Sequence, residues 1–128
     1  MKPRRTYTAA EMLQMEPQEL LNYITATCVV TIPISIETPD EERVAADSLA
    51  KASAYYSFLS PLRMQARILK RTLKQQGADK YTVEAMLTRE EIFDMQMQVM
   101  QQTYNTISRL FTVKAQLNKE FEMQKHLT

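Results

Sequence analysis

One cysteine, Cys28, and one histidine, His126, are the residues of this chain with which nucleophilic catalysis would have to begin. A thiol becomes a nucleophile when a base or a positive environment lowers its pKa. Cys28 stands between Thr27 and Val29, in an apolar stretch with no base nearby in sequence, which predicts an inert, packed side chain. His126 is the third residue from the C-terminus, where a catalytic group is hard to hold in place. Glu122 and His126 are four apart and would share one side of a helix, a spacing able to grip one ion. A carboxylate-bridged metal pair in a helical bundle, however, needs four acids and paired Glu-x-x-His motifs, and no Glu-x-x-His occurs here. The residues therefore predict no catalytic, metal or cofactor site.

Charge offers a different chemistry. Arg63, Arg67, Lys70, Arg71 and Lys74 recur at helical spacing without an acid among them, so they would line one flank of a helix and could follow a phosphate backbone or an acidic partner. Lys2, Arg4, Arg5 and Tyr7 would add a basic arm over residues 1–7. Against this, the whole chain carries a formal net charge of only +1, so the molecule as a whole does not attract polyanions. Contact through apolar side chains is the other possibility. Nine methionines are present, and methionine both fills irregular gaps and forms adaptable binding surfaces. Met12, Met15, Met64 and Met95 fall outside the strongest apolar pattern and are the candidate contacts with another protein.

The elements that would position these residues are helical. A single glycine, Gly77, leaves little room for β-turns or phosphate-binding loops. Thr8 with Glu11 forms a capping box for a short helix. Pro17 suits the first turn of a second, with Leu20, Leu21, Ile24 and Cys28 on its apolar face. Val29 to Ile36 alternate with a period of two, which marks an extended segment over residues 29–37. Pro33 argues against a central strand, leaving a connector packed over the helices or a strand that pairs across a homodimer or onto a partner.

Thr38, Pro39, Asp40 and Glu41 combine an N-cap, a first-turn proline and early acids, and they start a helix over residues 38–76. Ala45, Leu49, Ala52, Tyr56, Leu59, Leu62, Ala66, Leu69 and Leu73 form its apolar stripe. Pro61 would kink it or divide it into two helices near Ser60. A last helix over residues 80–125 begins between Lys80 and Arg89, with Thr88 and Glu91 as a possible cap. Its seam is Phe93, Met97, Met100, Tyr104, Ile107 and Phe111, and a second stripe of Ile92, Val99, Thr103, Leu110, Val113 and Leu117 widens the face. A two-helix hairpin cannot cover so wide a face, so the N-terminal helices or a second copy must help.

In both long helices the acids come first and the bases later. Folding back at Gly77 sets each basic half against an acidic half, whereas parallel packing would set like against like. The fold expected is all-α: a long antiparallel hairpin preceded by two short helices and an extended connector, forming one domain over residues 8–128. No apolar run reaches the length of a membrane span, and the charged N-terminus has no hydrophobic signal core behind it.

Over residues 55–123 the chain resembles small helical proteins encoded by phages and prophages of Firmicutes. The words that carry this are Tyr55-Tyr56-Ser57-Phe58-Leu59, the stretch from Arg67 to Lys74, and Tyr104-Asn105-Thr106-Ile107-Ser108-Arg109 with Thr112-Val113-Lys114. None of these words is a catalytic motif. The resemblance implies the cytoplasm of a bacterial host and a small, non-enzymatic binder. Some such proteins inhibit host defence, including anti-CRISPR proteins, and others assist replication or recombination through nucleic acid. The expected partner is therefore a host protein or nucleoprotein, with nucleic acid or self-assembly as alternatives.

Overall fold

The computed structural model describes residues 6–127. Four helices follow one another: α1 (Ala9–Met12), α2 (Pro17–Thr27), α3 (Pro39–Gln75) and α4 (Lys80–Leu127). Among the described residues there is no strand, and α3 and α4 run antiparallel as the core of the fold.

The start signals work as the side chains dictate. At Thr8 and at Thr38 the hydroxyl accepts from the N–H three residues on, while Glu11 and Glu41 reach back to the capping N–H groups. Gly77 ends α3 with φ +75°, a left-handed conformation that costs other residues about 1–2 kcal/mol. The Ala78 N–H then reaches the Leu73 carbonyl and the Gly77 N–H the Lys74 carbonyl, closing the last turn in a Schellman arrangement. After the four residues 76–79 the chain is helical again. The Asp79 carboxylate accepts the Thr82 hydroxyl there, so α4 starts at Lys80. Thr88 is no cap: its hydroxyl bonds the Glu84 carbonyl within the helix.

Pro61 does not divide α3, which is continuous from Pro39 to Gln75. Pro61 and Ser57 are themselves exposed, so water can satisfy the Ser57 carbonyl that the missing N–H leaves unpaired.

The buried seam differs from the apolar stripe in an instructive way. On α3 it runs through Ala45, Ser48, Ala52, Tyr55, Leu59, Leu62 and Ala66, a strict alternation of three and four. Tyr56, assigned to the stripe by its apolar ring, is 37% exposed, and Leu49 is only partly buried. On α4 the partners are Met86, Phe93, Gln96, Met97, Met100, Thr103 and Ile107, with Tyr104 on the outside. Polar Ser48 and Gln96 occupy seam positions that a reading by hydrophobicity leaves out, and Thr103 of the second stripe is buried as that stripe requires. The two sides are complementary in size. α3 contributes small residues along much of its length, which lets the large side chains of α4 enter at close helix separation.

The N-terminal segment folds back onto α4. Met12, Leu13, Leu20, Ile24 and Cys28 join the main core cluster with Phe93 and Met97. Three side chains of α4 fix its backbone: Arg89 donates to the Met15 carbonyl (2.9 Å), Gln96 to the Cys28 carbonyl (3.4 Å) and Lys114 to the Ile36 carbonyl (2.9 Å). Residues 29–37 are extended and unpaired with any strand, which is the connector arrangement. Tyr7 belongs to the packed body rather than to a free arm. Its ring meets Tyr23 edge-on at 4.9 Å, and its N–H donates to the Tyr23 hydroxyl. Lys2, Arg4 and Arg5 lie outside the described residues.

If the seam runs as described, Ser48→Leu overfills the contact and destabilises the fold by about 1–3 kcal/mol. Tyr56→Ala, at a position chosen by hydrophobicity alone, should stay within about 1 kcal/mol. Urea denaturation of both variants measures the contrast, and equal losses would contradict this register.

Candidate functional surface

The helical hairpin gives each candidate residue a definite environment, beginning with the thiol. Cys28 caps the C-terminus of α2 and is 3% exposed; burial pushes its pKa up to about 11, which keeps the thiol protonated. Glu122 and His126 are exposed near the end of α4. Among the described residues, no three His, Cys, Asp or Glu side chains are grouped to hold an ion. Nor is any described helix long and apolar enough to cross a membrane.

The basic stripe is brought together on one flank of α3, and α4 neutralises most of it. Arg63 Nη1 lies 2.7 Å from an Asp94 carboxylate oxygen, while Arg67 Nε (3.1 Å) and Lys70 Nζ (2.7 Å) share Glu90. Farther along the hairpin, Lys114 pairs with Glu42. All these pairs cross between the two helices, in the order that antiparallel charge matching requires. The Glu90 carboxylate is pushed up by burial, but the hydrogen bonds from Lys70 and Arg67 outweigh this and hold it below the usual range. Asp94 is likewise lowered, chiefly by its hydrogen bond from Arg63 against the opposing effect of burial. Of the five stripe residues only Arg71 and Lys74 are exposed without an ion pair among the described residues. Two cations on one turn are a small footprint for a phosphate backbone, whose binding scales with the number of charges neutralised.

The four candidate methionines separate into two kinds. Met12 is 2% exposed and lies in the main core, and Met15 is partly buried against it, so neither offers a free contact surface. The reason is the return of α1 and α2 onto the α3–α4 hairpin, which turns their apolar faces inward. Met95 and Met64 are exposed, at 54% and 48%, but on different sides of the hairpin. Met95 lies beside α2 in a shallow groove with Pro17, Leu21 and Ile92. Met64 belongs to the outer face of α3.

That outer face is the feature hydrophobic periodicity did not reveal. Ala54, Ser57, Phe58, Pro61, Met64 and Ile68 are all exposed, follow helical spacing on the side away from the buried seam, and include no charge. Ile68 is 53% and Phe58 36% exposed. A solvent face of a long helix is ordinarily charged, as this one is between Asp40 and Lys51, where Arg43 pairs with Asp40 and Lys51 with Asp47. Scanning residues 54–68 for missing charges on the non-core side would have found it.

Comparison with protein-family models, with curated proteins and with solved structures returns no match. The fold and surface define an all-α helical hairpin with a partly neutralised basic flank and an uncharged apolar outer face.

The ion pairs predict a pH response with a definite sign. Because Glu90 and Asp94 have lowered pKa values, their contribution is present above the ordinary carboxylate range and is lost as pH falls through the folded-state values. Stability should therefore decline below about pH 4. Glu90→Gln should cost about 1–2 kcal/mol at neutral pH and flatten the acid limb of a stability-against-pH curve. An unchanged acid limb would contradict the assignment.

Proposed function

We propose that this chain is a non-enzymatic protein-binding module that acts by occupying a surface of a partner through the outer face of α3. The supporting observation is the uncharged, exposed run of Phe58, Pro61, Met64 and Ile68 on the face opposite the seam. Contiguous apolar surface left open on a soluble fold is a mark of a partner's footprint. Arg71 and Lys74 border it, which fits a target whose apolar patch is rimmed with carboxylates. The resemblance to small phage-encoded helical proteins points to a bacterial host protein or nucleoprotein as the target and to inhibition, of the anti-defence type, as the consequence. The cytoplasm is the compartment that goes with that reading. Neutralisation of Arg63, Arg67 and Lys70 within the hairpin makes direct nucleic-acid binding the weaker alternative.

Affinity capture from host lysate, with and without nuclease, tests this when the native chain is compared with Phe58→Ser/Ile68→Glu. Both substitutions lie on exposed positions and should leave helicity intact. A protein that the native chain retains after nuclease treatment, and that the variant loses by at least about tenfold, is the expected outcome. Capture that is abolished by nuclease, or unaffected by the double substitution, would contradict the proposal.

A further inference from the structure

A second unpartnered apolar surface lies at the opposite end of the molecule, where α4 outruns α3. Lys114 is level with Glu42 and Ile36, at the very start of α3. α4 continues to Leu127, an overhang of 13 residues, or roughly 20 Å of helix. An isolated helix of that length is marginal in water, and helices in proteins are held chiefly by packing of an apolar face. Here the face exists without its cover. Leu110, Val113, Leu117 and Phe121 form a stripe, and Val113, Leu117 and Phe121 are 51%, 59% and 61% exposed. Lys125 rests on the Phe121 ring at 5.7 Å, leaving that ring mostly open. Beside the stripe, Ile34 and Ile36 of the connector form the wall of an open groove of about 430 Å³, and Ile34 is 100% exposed.

From this overhang we infer that the groove receives the same segment of a second copy, so that the chain forms an antiparallel homodimer through the ends of α4. The charges identify the occupant. Arg109 and Glu120 lie on the same edge of the stripe, and neither has an ion-pair partner among the described residues. When two identical helices pack antiparallel about a two-fold axis, equivalent edges face each other. With the axis level with Ala115, Val113 packs on the second copy's Leu117, and Leu110 lies within one residue, roughly 1.5 Å along the helix, of its Phe121. The same register brings Arg109 within one residue of level with the second copy's Glu120, a gap long side chains span, twice by symmetry. One register thus satisfies both the apolar layers and the two unpaired charges, which an unrelated partner would match only by its own sequence. The axis also brings the exposed Ile34 of each copy toward the centre of the contact. A specific dimer needs about 1,000 Å² of buried surface. A stripe of roughly 17 Å on each copy with the two connector walls is near that lower bound, so the dimer is weak and concentration-dependent.

This surface is distinct from the outer face of α3, and the two can be tested separately. Sedimentation equilibrium of the full chain over a wide concentration range should show a monomer–dimer equilibrium. Leu117→Glu should weaken the dimer by at least about tenfold, with unchanged helicity by circular dichroism. Arg109→Glu should weaken it by roughly three- to tenfold, and adding Glu120→Arg to that variant should restore most of the loss. Restoration by the double reversal is specific to this register, and it decides the matter even if Leu117→Glu perturbs the helix. A native chain that stays monomeric at the highest concentration would overturn the inference, as would a double reversal no tighter than the single one.

Discussion

Every other feature of this protein depends on the lengthwise burial of α4 against α3. Phe93, Leu59 and Ile107 are fully buried along that contact, with Leu62, Met97 and Met100 nearly so. Each such side chain contributes about 1.5–3 kcal/mol when removed from water. The partly exposed ion pairs that cross the same contact contribute about 0.2–1 kcal/mol apiece. Burial therefore supplies the stability, and the charges select among ways of achieving it. Arg63 beside Asp94, Arg67 and Lys70 beside Glu90, and Lys114 beside Glu42 mark a single antiparallel register along the hairpin. A slip along the seam would separate these pairs and press the large residues of α4 against positions other than Ala45, Ser48, Ala52 and Ala66.

The same arrangement explains where apolar surface is left over. α4 is the spine to which the rest attaches, because α2 and α3 both pack on it and Arg89, Gln96 and Lys114 tie down three carbonyls of the N-terminal segment. With α2 packed on α4 and α1 beside Gln65, Leu69 and Leu73, no other described element covers Phe58, Met64 and Ile68, and no described element accompanies α4 beyond the start of α3. Those two places carry the exposed Phe58, Met64 and Ile68 at one and Val113, Leu117 and Phe121 at the other. A fold built on one spine buries its core well and leaves two faces open for contact.

The hairpin itself was legible in the residues. The capping signals at Thr8 and Thr38, the stop at Gly77, the acid-then-base order of both long helices and the extended connector all appear in the structure. What hydrophobicity misplaced was the finer register. Ser48 and Gln96 are buried because the three-four alternation puts them in the seam, and small or satisfiable polar side chains are tolerated there; Tyr56 and Tyr104, larger and more apolar, face outward. Candidate contacts were legible only in part. Met64 and Met95 are exposed, but Met12 and Met15 are not, since their fate depended on a long-range return of the N-terminal helices that no local pattern encodes. The uncharged outer face of α3 is written in residues 54–68 as an absence of charge, a signal weaker than any stripe.

The antiparallel register is tested most directly by a distance between spin labels at Lys51 and Thr106, both exposed and nearly level across the hairpin. Packed helices at an axial separation of about 8–10 Å predict a label distance of roughly 20 Å or less. Measured by pulsed electron resonance on the magnetically dilute full chain, so that any dimer contributes nothing, a single short distance is the expected result. A distance approaching roughly 80 Å, the span of the intervening residues in one continuous rod, would contradict the hairpin and everything built on it.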